Sequence, residues 1–337
     1  MINFNKILFS SILVSGSLIS ISALSWMSAW IGLEMNLLAL IPLMKSSKNK
    51  LSTEASIKYF MVQAMASSSL LFSVILSCEP NFAELCSYPA PLLISNLALL
   101  LKMGAAPVHF WLPEVVSGLS WNLVFIVLTW QKVAPMILMS YCMNSTFLLS
   151  SAIILSSLVS GIMGMNQTCL RKIMAFSSIN HVGWMLATLF SSLNLWFFYF
   201  VTYSIMNMSI LAMFKKLQVF YFSQLNKMMS FNKNLKMFFM LNFLSLGGLP
   251  PFVGFLPKWF TINFLVYSNF LALGFILILI TLITLFFYVR LALASFTLSA
   301  TESLINLQTK NFNLKQFFFS TSVLLSLPMS FALSSML

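Results

Sequence analysis

Acidic residues are scarce in this sequence: of its 337 residues none is aspartate and six are glutamate, against eighteen lysines and arginines. Charged residues make up 7% of the chain and hydrophobic residues 60%, and the mean hydropathy is +0.95. A soluble domain could not bury so much apolar surface, so this composition excludes that class and indicates a protein embedded in a lipid bilayer. The net charge of +12 then reflects membrane topology rather than nucleic-acid binding, because the basic residues fall between apolar stretches.

Cofactor motifs are missing as well. The cysteines form no CxxC pair and have no histidine at metal-ligand spacing; they are Cys78, Cys86, Cys142 and Cys169. No glycine-rich nucleotide motif occurs. The sequence therefore predicts no metal and no cofactor in this chain. It also predicts no cleaved targeting segment, which is typical of insertion into a bacterial membrane or into that of an organelle translating its own genes.

Apolar stretches long enough to cross a membrane follow one another along the chain, since a spanning helix needs about 20 apolar residues. They predict an all-α polytopic membrane protein with about eleven spans, at 3–21, 24–44, 56–78, 90–115, 119–142, 146–165, 171–190, 194–214, 237–266, 271–296 and 315–335. Lysine and arginine occur in every second connection and are missing from the others. By the positive-inside rule, the N-terminus lies inside and the C-terminus outside.

An internal repeat is indicated by two proline-containing stretches 144 residues apart. PVHFWLPEVV begins at Pro107 and PFVGFLPKWF at Pro251, and both fall within over-long spans of opposite predicted direction. Paired interrupted helices in inverted halves mark the transport site of many membrane carriers. We therefore expect two inverted repeats, at 1–142 and 146–296, each with a broken helix, followed by a connection and a C-terminal helix at 297–337.

Charged residues inside these spans are the strongest functional signal. They are Glu34, Lys102, Lys132 and Lys258. A charge at the centre of a membrane helix costs about 2.5–3.5 kcal/mol on insertion scales, so such residues usually mark an ion or proton pathway. His181, in SSINHVGWM, is a candidate proton relay, because histidine titrates near neutral pH.

Each of these residues also has a purely structural explanation. Lys258, and also Lys102 or Lys132, could extend its ammonium group to the membrane interface, and Glu34 could form a static salt bridge. His181 could simply join two helices by a hydrogen bond, and the same holds for His109 beside the first break. Glu54 and Lys58, four residues apart, are expected to form a surface ion pair.

Five motifs carry a family resemblance over roughly residues 24–260: GLEMN, LLLKMGAAPVHFWLPEV, LTWQKVAPM, LRKIMAFSSINHVGWM and LGGLPPFVGFLPKW. They closely resemble the chain 2 family of animal mitochondrial NADH–ubiquinone oxidoreductase, antiporter-like membrane subunits of respiratory complex I. The resemblance implies proton translocation driven by quinone reduction elsewhere in the complex. It places Glu34 and Lys102 as a charged pair, Lys132 as the central lysine, Lys258 as the distal lysine and His181 as the relay histidine.

The resemblance further implies that NADH, FMN, iron–sulfur clusters and ubiquinone bind in other subunits. It implies that the partners are other membrane-arm subunits of complex I and lipids, for which cardiolipin is a candidate, and not nucleic acid. The location would be the mitochondrial inner membrane, with the N-terminus on the matrix side. Two alternatives remain: a free-standing cation/proton antiporter with the same lysines, and a structural subunit whose charges lock helices together.

Overall fold

The computed structural model of the chain describes residues 4–45, 49–78, 90–143, 146–224, 233–250 and 252–297. In these ranges the chain forms thirteen helices and no strand: α1 (Phe4–Ile21), α2 (Trp26–Met44), α3 (Lys50–Cys78), α4 (Ala90–Met103), α5 (Trp111–Gly118), α6 (Trp121–Leu128), α7 (Trp130–Ser140), α8 (Thr146–Met165), α9 (Leu170–Leu189), α10 (Leu193–Leu217), α11 (Lys233–Gly247), α12 (Phe255–Tyr267) and α13 (Leu271–Thr297). The predicted all-helical class is confirmed.

Among the residues that the structure describes, seven stretches are long and apolar enough to cross a membrane: Phe4–Ile21, Trp26–Met44, Lys50–Cys78, Trp121–Ser140, Thr146–Met165, Leu193–Leu217 and Leu271–Ala292. The chain is therefore a multi-pass membrane protein. The count of eleven spans stays a prediction, and the last of the predicted spans, 315–335, lies outside the described residues.

The helices divide into two compact units, Met1–Leu155 and Ser156–Leu337. In the first unit α1 and α2 pack at very short range, because glycines face each other. A Cβ at Gly32 would lie 2.6 Å from the backbone nitrogen of Ser20, and one at Gly16 would lie 3.0 Å from that of Asn36. The assignment of inverted repeats to 1–142 and 146–296 stays a prediction.

Helix α9 is almost entirely enclosed by protein. Eighteen of its twenty residues are buried, and the other two are Arg171 and Lys172 near its beginning. Its polar residues, which include Ser177, Ser178 and His181, are therefore surrounded by protein rather than by lipid. Such burial is where membrane proteins keep polar side chains.

Two helices are interrupted where over-long spans were predicted. The first break lies between α4 and α5, and the second between α11 and α12. A glycine with left-handed backbone follows each first half-helix: Gly104 at φ +73° and Gly248 at φ +80°. Pro113 and Pro257 occupy the third position of the following half-helix, where the backbone N–H has no intrahelical partner. Glycines therefore end the first halves, and prolines are accommodated at the start of the second.

A third interruption was not predicted. The fifth expected span, 119–142, bends at Thr129, which separates α6 from α7 with φ −116° and ψ −71°. The Thr129 hydroxyl donates to the carbonyl of Phe125 at 2.7 Å. Hydroxyl bonds of this kind to a preceding turn often bend helices.

Candidate functional site

All three predicted intramembrane lysines are buried. Lys102 is 5% exposed, Lys132 is 1% exposed and Lys258 is 5% exposed. None of them extends its side chain to an open surface within its own unit, so the snorkelling explanation for Lys258 does not describe this structure. The lysines nevertheless differ in what surrounds them.

In the first unit, Lys102 lies at the end of α4, one residue before the helix stops. The Glu34 carboxylate of α2 acts electrostatically on it, but the two residues form no ion pair within 4 Å in the described part of the chain. Glu34 Oε1 is buried and has no hydrogen-bond partner there. The predicted charged pair is therefore close in space but not closed into a static salt bridge.

Lys132 lies in α7, just after the bend at Thr129 and just before Pro135. Its backbone N–H donates to the carbonyl of Thr129 at 3.1 Å. Proline in the helix interior removes a backbone donor, so α7 is locally weakened at this depth. The neighbouring Gln131 lines a polar cavity together with Lys102.

In the second unit, Lys258 lies in the first turn of α12 and turns back across the break. Its Nζ donates to the carbonyl of Gly247, the last residue of α11, at 2.9 Å. The same Nζ lies 5.7 Å from the ring centre of Trp184 in α9, within range of a cation–π contact. The ammonium group therefore satisfies one of the carbonyls that a helix end leaves without an intrahelical donor.

His181 lies one turn before Trp184 on α9. Its Nδ1 is 3.0 Å from the hydroxyl of Tyr199, and its ring lies 4.9 Å from that of Tyr203. The structure thus places the predicted relay histidine and the distal lysine beside one tryptophan. His181 does join α9 to α10, as the structural explanation expected, and that contact leaves a relay role open.

His109 belongs to the first break itself. Its Nδ1 lies 3.2 Å from the carbonyl of Pro107, and its ring lies against Phe110 at 4.3 Å between centres. These contacts are all local, so His109 holds the conformation of the break.

The sequence missed part of a charged cluster. Lys58 pairs with Glu54 at 3.1 Å, as expected, and also with Glu114 of α5 at 2.9 Å. The second ion pair ties α3 to the half-helix after the first break. All three side chains are substantially exposed, and pairs of that kind usually contribute at most about 1 kcal/mol.

The sequence also missed three buried asparagines of the second unit: Asn180, Asn207 and Asn242. Both side-chain polar atoms of Asn180 and of Asn242 are buried without a hydrogen-bond partner, whereas the side chain of Asn207 lies within hydrogen-bonding reach of Tyr203. Buried polar groups are normally satisfied by hydrogen bonds, so these amides mark polar positions inside the second unit. No periodic pattern distinguishes them in the sequence.

In chemical terms, each unit offers buried ionisable groups beside a helix break. Among the described residues, no three histidine, cysteine or acidic side chains gather as a metal site would require. The described cysteines, Cys78, Cys142 and Cys169, are free thiols, and Cys86 lies outside the described residues.

Comparison with known proteins agrees with this chemistry. The family described as NADH:quinone oxidoreductase/Mrp antiporter, TM matches residues 23–286. NADH-ubiquinone oxidoreductase chain 2 of Anopheles gambiae is 47% identical over 312 residues, covering 91% of this chain and 90% of the relative. The protein of the same name from Xenopus laevis is 42% identical over 296 residues, covering 85% of this chain and 86% of the relative.

Solved structures share the fold. A chain of respiratory complex I from Thermus thermophilus with bound aureothin superposes with a TM-score of 0.84 at 21% identity, covering 96% of this chain and 78% of that one. A chain of the Mrp complex from Dietzia sp. DQ12-45-1b superposes with a TM-score of 0.69 at 16% identity, covering 84% and 59%. With this fold and these relatives, the chain belongs to the NADH-ubiquinone oxidoreductase chain 2 family.

Proposed function

We propose that this chain, a proton-translocating membrane subunit of NADH:ubiquinone oxidoreductase, moves protons through its buried ionisable side chains. These are Glu34, Lys102, Lys132, His181 and Lys258. Quinone reduction elsewhere in the complex supplies the free energy. The chain contributes the path and holds no redox centre of its own.

The observation that carries the proposal is the burial of three lysines in a membrane chain with so few charges. A buried ammonium is costly unless it is paired, and Glu34 and Lys102 are near each other without a direct ion pair. Two ionisable groups held apart in this way can each gain and lose a proton. A direct salt bridge stabilises the charged form of both groups and so opposes these proton transfers. The structural alternative, in which the charges only lock helices together, requires direct pairs.

The names of the relatives support the membrane and the partners in the proposed setting, and the alternation of basic connections supports the sidedness. The partners are other membrane subunits of complex I and bilayer lipids, with cardiolipin as a candidate at the basic side. The membrane is the mitochondrial inner membrane, with the N-terminus in the matrix and the C-terminus in the intermembrane space. NADH, FMN, iron–sulfur clusters and ubiquinone are bound by other subunits.

The test is a pair of substitutions at Lys132, which is buried. Lys132→Met should slow quinone-coupled NADH oxidation and proton pumping together while the complex still assembles, because methionine buries more easily than an ammonium ion. Lys132→Arg should also be impaired, because guanidinium stays protonated and cannot release its proton.

A structural cation would give the opposite pattern, with Arg tolerated and Met reducing assembly. Full pumping by Lys132→Arg would therefore exclude Lys132 from the relay. The readouts are NADH oxidation, pumping per electron in vesicles, and the amount of assembled complex on native gels.

A free-standing cation/proton antiporter is the second candidate, because the fold is shared with a chain of an Mrp complex. An antiporter would exchange cations for protons when this chain alone is placed in liposomes. A complex I subunit would show no transport alone and would migrate with a large NADH-oxidising assembly.

A further inference from the structure

A buried tyrosine hydroxyl lies against the candidate relay histidine of the second unit. Tyr199 belongs to α10 and His181 to α9, and both side chains are almost completely buried. The phenol oxygen of Tyr199 lies 3.0 Å from His181 Nδ1, and the two rings meet edge to face with 6.0 Å between their centres. Burying a hydroxyl costs free energy unless it is hydrogen-bonded, and a phenylalanine would fill the same place without that cost. The contact with Nδ1 offsets this cost.

A hydrogen bond at one ring nitrogen of a histidine decides what the other nitrogen does. A charged imidazole carries a proton on both nitrogens, so Nδ1–H of charged His181 donates to the oxygen of Tyr199. If the ring then loses the proton from Nε2, the remaining proton stays on Nδ1 and the hydrogen bond to Tyr199 is kept. The phenol itself does not readily gain or lose a proton near neutral pH. The contact therefore directs proton exchange to Nε2 and holds the ring in one orientation while the exchange occurs.

A second tyrosine on the same helix offers a comparison. Tyr203 lies one turn after Tyr199 on α10, and its ring centre is 4.9 Å from that of His181. Its hydroxyl lies within hydrogen-bonding reach of Asn207 and Ser178. The Tyr203 ring therefore packs against the imidazole, while the Tyr203 hydroxyl has partners other than the imidazole.

We propose that Tyr199 is a positioning residue for proton transfer at His181: its oxygen accepts the hydrogen bond from Nδ1–H, so that Nε2 is the atom that exchanges protons. In the forward step the Nε2–H bond breaks and the proton passes to the next base of the path. In the reverse step Nε2 gains a proton and the charged ring is restored, with Nδ1–H donated to Tyr199 in both states. This inference deepens the proposed function and rests on it.

The first experiment removes the hydroxyl and keeps the ring. In the assembled complex, Tyr199→Phe should lower quinone-coupled NADH oxidation and proton pumping about fivefold, as expected for one lost hydrogen bond. Proton transfer should then limit the rate, so the ratio of rates in H₂O and D₂O should rise. The matched control is Tyr203→Phe, which removes a buried hydroxyl one turn away and should keep the original isotope ratio. An unchanged ratio in assembled Tyr199→Phe, or the same rise in both variants, would assign the hydroxyl to packing and overturn the proposal.

A double-variant cycle tests whether Tyr199 acts through His181. The side chain in His181→Gln cannot titrate, so adding Tyr199→Phe to it should cause no further loss of pumping per assembled complex. If the two losses multiply instead, Tyr199 acts independently of His181 and the proposal is wrong.

A measurement on the original chain needs no variant to assemble. High-resolution electron microscopy of the complex should place the Tyr199 oxygen within about 3.5 Å of His181 Nδ1, the range of a hydrogen bond. A hydroxyl turned away from the imidazole would overturn the proposal directly.

The outcomes distinguish this inference from the proposed function. If His181→Gln pumps normally per assembled complex, His181 is not part of the proton path, and the proposed function loses that step. If His181→Gln is impaired while assembled Tyr199→Phe keeps the original rate and isotope ratio, the path stands and the role given to Tyr199 is wrong.

Discussion

The two helix breaks are alike in backbone and different in the way they are closed. Each begins with a left-handed glycine, Gly104 or Gly248, and these glycines are 144 residues apart, the same spacing as the proline motifs. In the first break, the indole of Trp111 donates to the carbonyl of Leu101 at 3.1 Å. In the second, the ammonium of Lys258 donates to the carbonyl of Gly247 at 2.9 Å.

The two breaks differ in the group that donates hydrogen bonds to the free carbonyls at the end of the first half-helix. A neutral indole and a neutral amide, from Trp111 and Gln63, donate to the carbonyls at the first break, so that break does not use the ammonium group of Lys102 as its cap. At the second break the ionisable group itself serves as the cap. Loss of a proton from Lys258 would therefore alter the contact across its break, whereas loss of a proton from Lys102 would not.

The largest difference between the two breaks is expected from a substitution at the last residue of each break. A Cβ at Gly254 would collide with the carbonyl oxygen of Ser245, whereas the corresponding Phe110 is 66% exposed. Gly254→Ala should destabilise the second unit by about 3 kcal/mol, because backbone must move to make room. Native gels should show little assembled complex for Gly254→Ala and normal amounts for Phe110→Ala. Equal amounts of the two complexes would show that the second break is not packed more tightly than the first at this position.

The glycines that begin the breaks should give the next largest effect. Alanine in the left-handed region costs about 1–2 kcal/mol at either position. At Gly248 the new Cβ would also lie 2.9 Å from Lys258 Cδ, whereas at Gly104 it would meet Leu112. Gly248→Ala should therefore reduce pumping per assembled complex, and Gly104→Ala should reduce assembly alone. The measurement is proton pumping in vesicles, divided by the amount of assembled complex, for each of the two variants. A similar loss of pumping in both variants would show that Gly248→Ala does not act by displacing Lys258.

Replacing Lys258 and Lys102 by methionine should distinguish the stabilising role of a helix cap from a role in proton transfer. Lys258→Met leaves the Gly247 carbonyl without its donor, a loss partly offset because an ammonium is no longer buried, so a net destabilisation of about 1 kcal/mol is expected. Lys102→Met keeps both caps of the first break and should lower pumping without lowering thermal stability. The measurement is the temperature at which each assembled complex dissociates, compared with its pumping rate. A lower dissociation temperature for Lys102→Met than for Lys258→Met would reverse the assignment.

The indole cap of the first break should have the smallest effect. Trp111→Phe removes the hydrogen bond to Leu101 and keeps an aromatic ring against Tyr59, so a destabilisation of about 0.5–1 kcal/mol is expected. Trp259→Phe makes the same substitution at a tryptophan of α12, in the half-helix after the second break. We expect a lower dissociation temperature for Trp111→Phe alone, and no difference between the two variants would mean that the indole bond contributes nothing.

Much of this molecule could be predicted because the bilayer imposes strong rules on a sequence. Apolar length gave the all-helical membrane class, and the cost of intramembrane charge singled out Lys102, Lys132 and Lys258, all of which proved to be buried. The pairing of Glu54 with Lys58 followed from helical spacing. Gly104 and Gly248 have the same spacing of 144 residues as the two proline motifs, so this second match between the breaks is also present in the sequence.

Other features depended on contacts between residues distant in sequence. No proline or glycine stands at or next to Thr129 to indicate the bend in the sequence. The polar cavity that Lys102 and Gln131 line also includes Asn36 and Tyr59 from two further helices, and no local pattern brings these residues together.

The sequence by itself determined the solvent of this protein, its helical class and the identity of its buried charges, because each follows from the free energy of placing a side chain or backbone group in lipid. Only the tertiary structure decided what those charges touch. Lys258 became the cap of a helix end, and Lys102 became part of the lining of a polar cavity, because hydrogen bonds act over about 3 Å and their partners come from other helices.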